Sequence, residues 1–452
     1  MITKSREEQL AEYMQRGTPA HDRLALLFDE GQYTEFGSGF RGRSGDSVIT
    51  AYGYIGGTPA YAFAQNSDSF GGAVDRQHAE KIAAALDLAA RNGMPVIGIY
   101  DSHGAFTDDG AEALNAYSLI LSKMTELSGV VPTVSVISGI CSGSMSLIAA
   151  SADITVMTDK AELYLDSGDK SDKETAGALG VLQMCAADDS EAFEKVRKYI
   201  SLMPQNNLSA APEYEYDAPV SASFADAEQS ALSLADEGSV LELSCCYADA
   251  AYTALATVNG TAVGIAATNR SKEKLTADDM AKLARFVRLC DAYGIPVVTV
   301  VDTQGIDSKG SALRSLARLS GAYSEAVCPK ITLISGTATG PVFTALCGKN
   351  ISADAVYALP EAVIAPIAPL TAAEFLYHDR LAGVPDTASA RQAIADEYAA
   401  NEASAFCAAE KGAVDTIVTA ENARAAVASA LDFSAGKRLL RRMPRKHSLL
   451  PM

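Results

Sequence analysis

The sequence predicts an α/β protein made of two similar halves in tandem, each a largely parallel sheet covered by helices. Three observations predict it. "ISGICSG" begins at Ile137 and "ISGTATG" at Ile334, so one chain of 452 residues writes nearly the same stretch twice. Other matched pairs surround it in the same order: "LFDEGQYTEF" (from Leu27) with "LADEGSVLEL" (from Leu234), "IGGTPAYAFAQN" (from Ile55) with "VNGTAVGIAATN" (from Val258), and "NGMPVIGIYDSHG" (from Asn92) with "YGIPVVTVVDTQG" (from Tyr293). The offset stays near about two hundred positions, the signature of a duplication. Continuous Val/Ile runs alternate with amphipathic stretches, which reads as parallel strands buried on both faces.

Each repeat justifies its elements in turn. A helix ends in Asp-Glu-Gly. A β-hairpin follows, closed by Gly56-Gly57 in one half and Asn259-Gly260 in the other, the residue types that tolerate φ > 0. A long amphipathic helix comes next, over His78 to Arg91 or Met280 to Tyr293. An apolar strand then ends in Asp-Ser-His-Gly or Asp-Thr-Gln-Gly. A further helix, the strand carrying the opening motif, a second buried helix and a last strand complete the unit. The join falls in Leu202 to Ala222, rich in Pro, Asn and Ala, which sets the halves at residues 1–215 and 216–452.

Composition narrows the function. A hydrophobic content of 48% with 21% charged residues belongs to a globular chain with large cores. The net charge of −19 argues against nucleic acid as a partner, because no basic domain offsets phosphate repulsion. The one basic cluster is the tail, Lys437, Arg438, Arg441, Arg442, Arg445 and Lys446, which reads as a set of surface ion pairs. Eight cysteines occur without CxxC or zinc spacing and read as reduced residues of a cytoplasmic protein. No signal core opens the chain. Leu127 to Ala152 carries no charge, but Pro132 and several Gly and Ser residues break it, so it reads as strand, turn and buried helix rather than a membrane span.

Catalytic side chains are scarce. Of five histidines only His103 lies at a strand's C-terminal end, where α/β proteins bind ligands. "GICSG" is not a nucleophile elbow, since its serine sits one place late. "GSGFRG" from Gly37 fits GxGxxG in letters only and reads as a hairpin loop. What remains is backbone. "GICSGSM" and "GTATGPV" place small residues where a strand turns into a helix, so ligands can approach N–H groups at a helix start. That geometry can hold an oxyanion and lower a barrier by ~3–4 kcal/mol. Close helix–strand packing alone is the competing explanation.

At these residues a resemblance appears. "YAFAQNSDSFGGAVDRQHAEKI", "PVIGIYDSHGA", "ISGICSGSM", "LMPQNN", "ARFVRLCDAYGIPVVTVVDTQG", "PKITLISG" and "PRKHSLLPM" resemble the carboxyltransferase component of biotin-dependent enzymes over nearly the whole chain. That family includes acyl-CoA carboxylase β chains and the α subunits of glutaconyl-CoA and methylmalonyl-CoA decarboxylases. The resemblance implies two crotonase-like ββα superhelices, acyl-CoA on the N-terminal half and biotin on the C-terminal half. It implies one backbone oxyanion hole per half, for a thioester enolate and for the ureido oxygen of biotin. By residue, Gly143 and Ser144 match the first hole. The turn at Gly340, with Pro341 and Val342, matches the second. Phe70, Gly71 and Gly72 match a loop near the acyl site, and Ser102, His103, Gly104 and Gly305 on the strand-end loops are candidate substrate contacts. A trimer-of-dimers homo-oligomer is implied. Biotin is expected to arrive on a separate biotin carboxyl carrier protein, alongside a biotin carboxylase or membrane decarboxylase subunits, because no biotinylation motif or ATP-binding domain occurs.

Departures from the family pattern are visible. Pro341 has no N–H to donate. His103 stands for a glycine, Phe106 for an arginine and Leu370 for a common glutamate. They open a second reading, a degenerate paralogue serving as scaffold or regulatory subunit. A third is a hydrolase or isomerase using His103, Asp108 or Asp109 as base.

Overall fold

The computed structural model describes residues 5–8, 17–38, 46–166, 168–219, 222–272, 274–307, 309 and 311–437. The chain divides into two compact units, Met1–Ser209 and Ala210–Met452, parted inside the Pro/Asn/Ala-rich join.

In the first unit, α1 (Pro19–Leu27) leads into β1 (Tyr33–Phe36), β2 (Val48–Ile55) and β3 (Thr58–Gln65). The β2–β3 pair is antiparallel and turns at Gly56 and Gly57, with φ of 57° and 77°. The helix α2 (Arg76–Asn92) starts on an Asp75 cap, whose side chain accepts from the His78 N–H at 2.9 Å. It stops at Gly93 in the left-handed region, φ 61°. Then come β4 (Val96–Ser102), α3 (Ala111–Leu127), β5 (Thr133–Ser142), α4 (Ser144–Ala150), β6 (Ile154–Thr158), β7 (Glu162–Tyr164), β8 (Lys170–Ser171), β9 (Met184–Ala186) and α5 (Asp189–Leu202). The sheet order is β1-β2-β3-β4-β5-β6-β9, parallel from β3 onward, with β7 on the far end of β5. Its core includes Phe63, Ile82, Tyr100, Ile120, Ile137 and Ile148.

The second unit repeats the plan with α6 (Ala227–Leu234), β10 (Leu241–Leu243), β11 (Ala251–Val258), β12 (Thr261–Thr268), α7 (Ala277–Ala292), β13 (Val297–Val301), α8 (Ala312–Glu325), β14 (Lys330–Ile334), β15 (Thr337–Thr339), β16 (Ala355–Ala358), β17 (Val363–Ala365) and β18 (Thr416–Ile417). The helices α9 (Pro369–Phe375), α10 (Thr387–Asn401) and α11 (Ala420–Ser434) belong to this unit. Its sheet runs β10-β11-β12-β13-β14-β16-β18 over a core that includes Ile265, Val298 and Leu333.

The repeated Asp-Glu-Gly has a structural reason. Asp29 accepts from the turn N–H groups of Gly56 and Gly57, both at 2.9 Å, and is paired by Arg197. Asp236 accepts from Asn259 at 3.0 Å and Gly260 at 2.8 Å, and is paired by Arg424. A tight turn leaves these donors pointing outward, and one carboxylate satisfies both while an arginine neutralises it.

Leu127 to Ala152 is indeed strand, turn and helix, and among the described residues no helix is long and apolar enough to cross a membrane. The second buried helix expected after β14 is instead a five-residue π-turn, Phe343–Cys347. Of the cysteines, Cys141, Cys290, Cys328 and Cys347 are buried, whereas Cys245 and Cys246 are exposed. From the basic tail only Lys437 is described, and it pairs with Asp354 at 2.7 Å. Arg438 to Lys446, and the loop after Ser38 in "GSGFRG", lie outside the described residues.

Candidate functional site

Each unit builds a cleft at the same place in its sheet, and the same contacts shape both. The strand β4 ends at Ser102, where the hydroxyl accepts from the Gly104 N–H at 3.2 Å. The strand β13 is followed by Thr303, whose Oγ1 accepts from the Gly305 N–H at 3.2 Å. Gly104 (φ 121°) and Gly305 (φ 109°) take a backbone conformation that side chains disfavour. Their carbonyls accept at 2.9 Å from Val74 and Leu275 respectively, which fixes both loops.

The second wall is the strand-to-helix turn. Gly143 (φ 61°) and Gly340 (φ 53°) make it, in the left-handed region that glycine enters most readily. Two expectations need correction here. The Gly143 N–H is not open, because it donates to the Tyr164 carbonyl at 2.9 Å as β7 pairs with the end of β5. The Gly340 N–H is likewise held, by the Ala365 carbonyl at 2.9 Å, as β15 pairs with β17. The open donors come next in the chain. Among the described residues, no acceptor meets the N–H groups of Ser144 and Met145, the first two positions of α4. In the second unit Pro341 has no N–H, and the N–H groups of Val342 and Phe343 meet no acceptor. The proline fits at a helix start, where the missing donor has no partner to lose.

The first cleft, about 530 Å³, is lined by His103, Gly104, Ala105, Leu114, Tyr117, Ile140, Ser142, Gly143, Ser144, Tyr164, Leu165 and Asp166. The second, about 410 Å³, is lined by Gly305, Ile306, Ala312, Leu313, Leu316, Thr339, Gly340, Pro341, Val342, Pro366, Ile367, Ala368 and Thr371. Gly340 and Phe343 also line a neighbouring cleft of about 480 Å³.

Not every expected residue lines these walls. Ser102 is fully buried beneath its loop, closed on Gly104. Phe70, Gly71 and Gly72 form a short turn behind His103, whose N–H donates to the Gly71 carbonyl at 2.9 Å. The exposed Phe70 ring meets Phe106 edge-on at 6.1 Å, an apolar contact where the resemblance leads one to expect a cation. His103 does line the first cleft. Asp108 and Asp109 sit on the turn before α3 and do not. Leu370 is on α9, beside the second cleft but not among its lining residues.

A carboxylate sits at the equivalent strand end of each sheet, Asp101 buried and Asp302 partly buried. The Asp101 carboxylate accepts from Arg23 at 2.8 Å and Ser67 at 2.9 Å, and packs against Gly139. In the second unit Asp302 accepts from the Thr337 N–H at 2.8 Å and packs against Gly336. A side chain at either glycine would strike the carboxylate, which explains the glycine in both copies of the opening motif. Burial pushes the Cys141 thiol beneath the first turn up to about 12, so it stays protonated and is no nucleophile.

A residue that sequence reasoning passed over is Tyr117. On α3 it shares helical spacing with Ala113, Ile120 and Met124 and so reads as core, yet it lines the first cleft.

The paired clefts on a duplicated, helix-covered parallel sheet make this a crotonase-like fold present twice. The 12S transcarboxylase, solved as a hexamer with hydrolyzed methylmalonyl-coenzyme A bound, superposes with a TM-score of 0.92 at 29% identity over 100% of both chains. The carboxyl transferase domain matches residues 15–450, and the chain belongs to that family of enzymes. It is 31% identical to the methylmalonyl-CoA decarboxylase subunit alpha of Propionigenium modestum, over 96% of this chain and 93% of the relative. It is 32% identical to the propionyl-CoA carboxylase beta chain of Saccharopolyspora erythraea, over 96% and 90%.

Proposed function

We propose that this chain moves a carboxyl group between biotin on a separate carrier protein and the acyl group of a coenzyme A thioester. The observation that carries the reading is the repeated strand-to-helix turn. Among the described residues, each copy leaves two consecutive N–H groups without an acceptor, the first of them on a residue that lines the cleft (Ser144 and Val342), in a family of carboxyl-transferring enzymes. In the first cleft the Ser144 and Met145 N–H groups would receive the thioester oxygen as it gains charge, which stabilises the transition state more than the ground state. In the second cleft Val342 would offer its N–H to a carbonyl oxygen, between the apolar side chains of Leu313, Leu316 and Ile367. Biotin, when bound, supplies the carboxyl donor or acceptor; the chain supplies position and charge stabilisation. The second cleft fits such a ring system, with an apolar lining and an N–H donor at one wall. The relatives named above point to a short acyl group of the propionyl or methylmalonyl type. A homo-oligomer completed by carrier and biotin carboxylase or decarboxylase subunits fits the same reading.

The scaffold reading is motivated by Pro341, Phe106 and Leu370. It is weakened by the second cleft, which remains about 410 Å³ with Val342 on its wall. The test is loss of carboxyl from malonyl-, methylmalonyl- and glutaconyl-CoA on the purified chain, with and without free biotin. Biotin-dependent turnover of one of them supports the proposal. Binding of the thioesters with no turnover of any would support the scaffold.

A further inference from the structure

One residue lining the first cleft carries a buried polar atom that has no hydrogen-bond partner among the described residues. The Tyr117 side chain is only 6% exposed, lines the cleft wall, and its hydroxyl has no hydrogen-bond partner. A buried hydroxyl left unpaired costs about 1–3 kcal/mol. The second cleft carries no such group, since its polar side chains are the threonines Thr339 and Thr371.

Its protonation is settled by its surroundings. Burial, with the neighbouring Cys141, raises the Tyr117 pKa above its ordinary value, so the group is a neutral O–H near neutral pH. It serves as a donor, and the matching ligand group is an acceptor. The thioester oxygen is already provided for by Ser144 and Met145. A plain saturated acyl chain offers no second acceptor, whereas a carboxylate on the acyl group does.

We propose that Tyr117 donates its phenolic hydrogen to the free carboxylate of a carboxylated acyl-CoA, so that the first cleft distinguishes that form from the uncarboxylated thioester. The inference rests on the acyl-CoA assignment of the first cleft and deepens it. Two anchors on one ligand, the backbone pair on the thioester oxygen and the phenol on the carboxylate, would also fix the direction of the bond that carries the transferred group.

The test is Tyr117→Phe in the full-length protein, with affinities for methylmalonyl-CoA and propionyl-CoA measured by calorimetry. Hydrogen bonds to a charged group contribute enough that methylmalonyl-CoA should bind about tenfold or more weakly. Propionyl-CoA should bind within about twofold of wild type. Because the hydroxyl has no protein partner, thermal stability should be unchanged or raised, which separates this role from a structural one. Equal weakening of both thioesters, or no weakening of either, overturns the inference and leaves the acyl-CoA assignment standing. Failure of wild type to bind any CoA thioester overturns both.

Discussion

Replacing Ser144 with proline would copy into the first unit what the second already has at Pro341. The substitution suits the backbone. Ser144 is the first residue of α4, where proline is favoured, and Gly143 before it (φ 61°, ψ −133°) lies outside the α region that a following proline disfavours. No hydrogen bond among the described residues is lost, because the Ser144 N–H meets no acceptor there. The change is confined to one of the two donors proposed for the thioester oxygen. Loss of one oxyanion donor costs about 10²–10³ in rate, or roughly 2.7–4 kcal/mol. The assay is single-turnover loss of carboxyl from methylmalonyl-CoA with free biotin, alongside calorimetric affinity for propionyl-CoA. The rate should fall by about two to three orders of magnitude, with affinity within about threefold, since the donor acts mainly on developing charge. A rate within about threefold of wild type, in a folded protein, would refute the assignment of this N–H to the reacting oxygen.

The converse change, Pro341→Gly, adds a donor to the second cleft and should raise biotin-dependent turnover by about tenfold or more; an unchanged rate would place the reacting oxygen elsewhere. Gly139→Ala drives a methyl group onto the Asp101 carboxylate, which Arg23 and Ser67 hold in place, and should destabilise the first unit by about 1–3 kcal/mol or more in urea titrations. His78, fully buried between Ser47 at 2.8 Å and Gln65 at 3.2 Å, has its pKa lowered from 6.5 to about 3, chiefly by burial. Below about pH 6.5 the unfolded chain takes up a proton that the folded one refuses, so stability present above that pH is lost as pH falls toward 3. At pH 5 the loss is about 2 kcal/mol, and comparing urea midpoints at pH 7 and 5 in wild type and His78→Gln should show that much less pH dependence in the variant.

Much of this was legible in the sequence because it is written twice. The Gly56-Gly57 and Asn259-Gly260 turns and the strand-turn-helix at Leu127 to Ala152 each follow from local chemistry, and local chemistry is what a sequence displays; the Asp-Glu-Gly motifs are visible as a repeat, though their partners lie far along the chain. That the N–H groups of the candidate glycines Gly143 and Gly340 are held was not legible, for the opposite reason. Whether the Gly143 or Gly340 N–H is open depends on a carbonyl from a later strand, Tyr164 or Ala365, and no local pattern announces that pairing. Tyr117 escaped notice because helical spacing places a ring in the core but does not say whether its hydroxyl finds a partner there. The π-turn at Phe343–Cys347 is a similar case, since "PVFTALC" has the apolar character of a short α-helix.

The two turns now differ, serine in one and proline in the other, and that difference has a history. An ancestor of half this length that paired with itself would have carried identical sites by necessity, and every change in one would have appeared in the other. A proline that removed an amide from one site would have removed it from both. Fusing two copies into one gene breaks that symmetry. Each site is then free to change its turn without changing the other. The duplication is therefore what would allow a single polypeptide to hold the two unlike reactants of the proposed reaction on the same architecture.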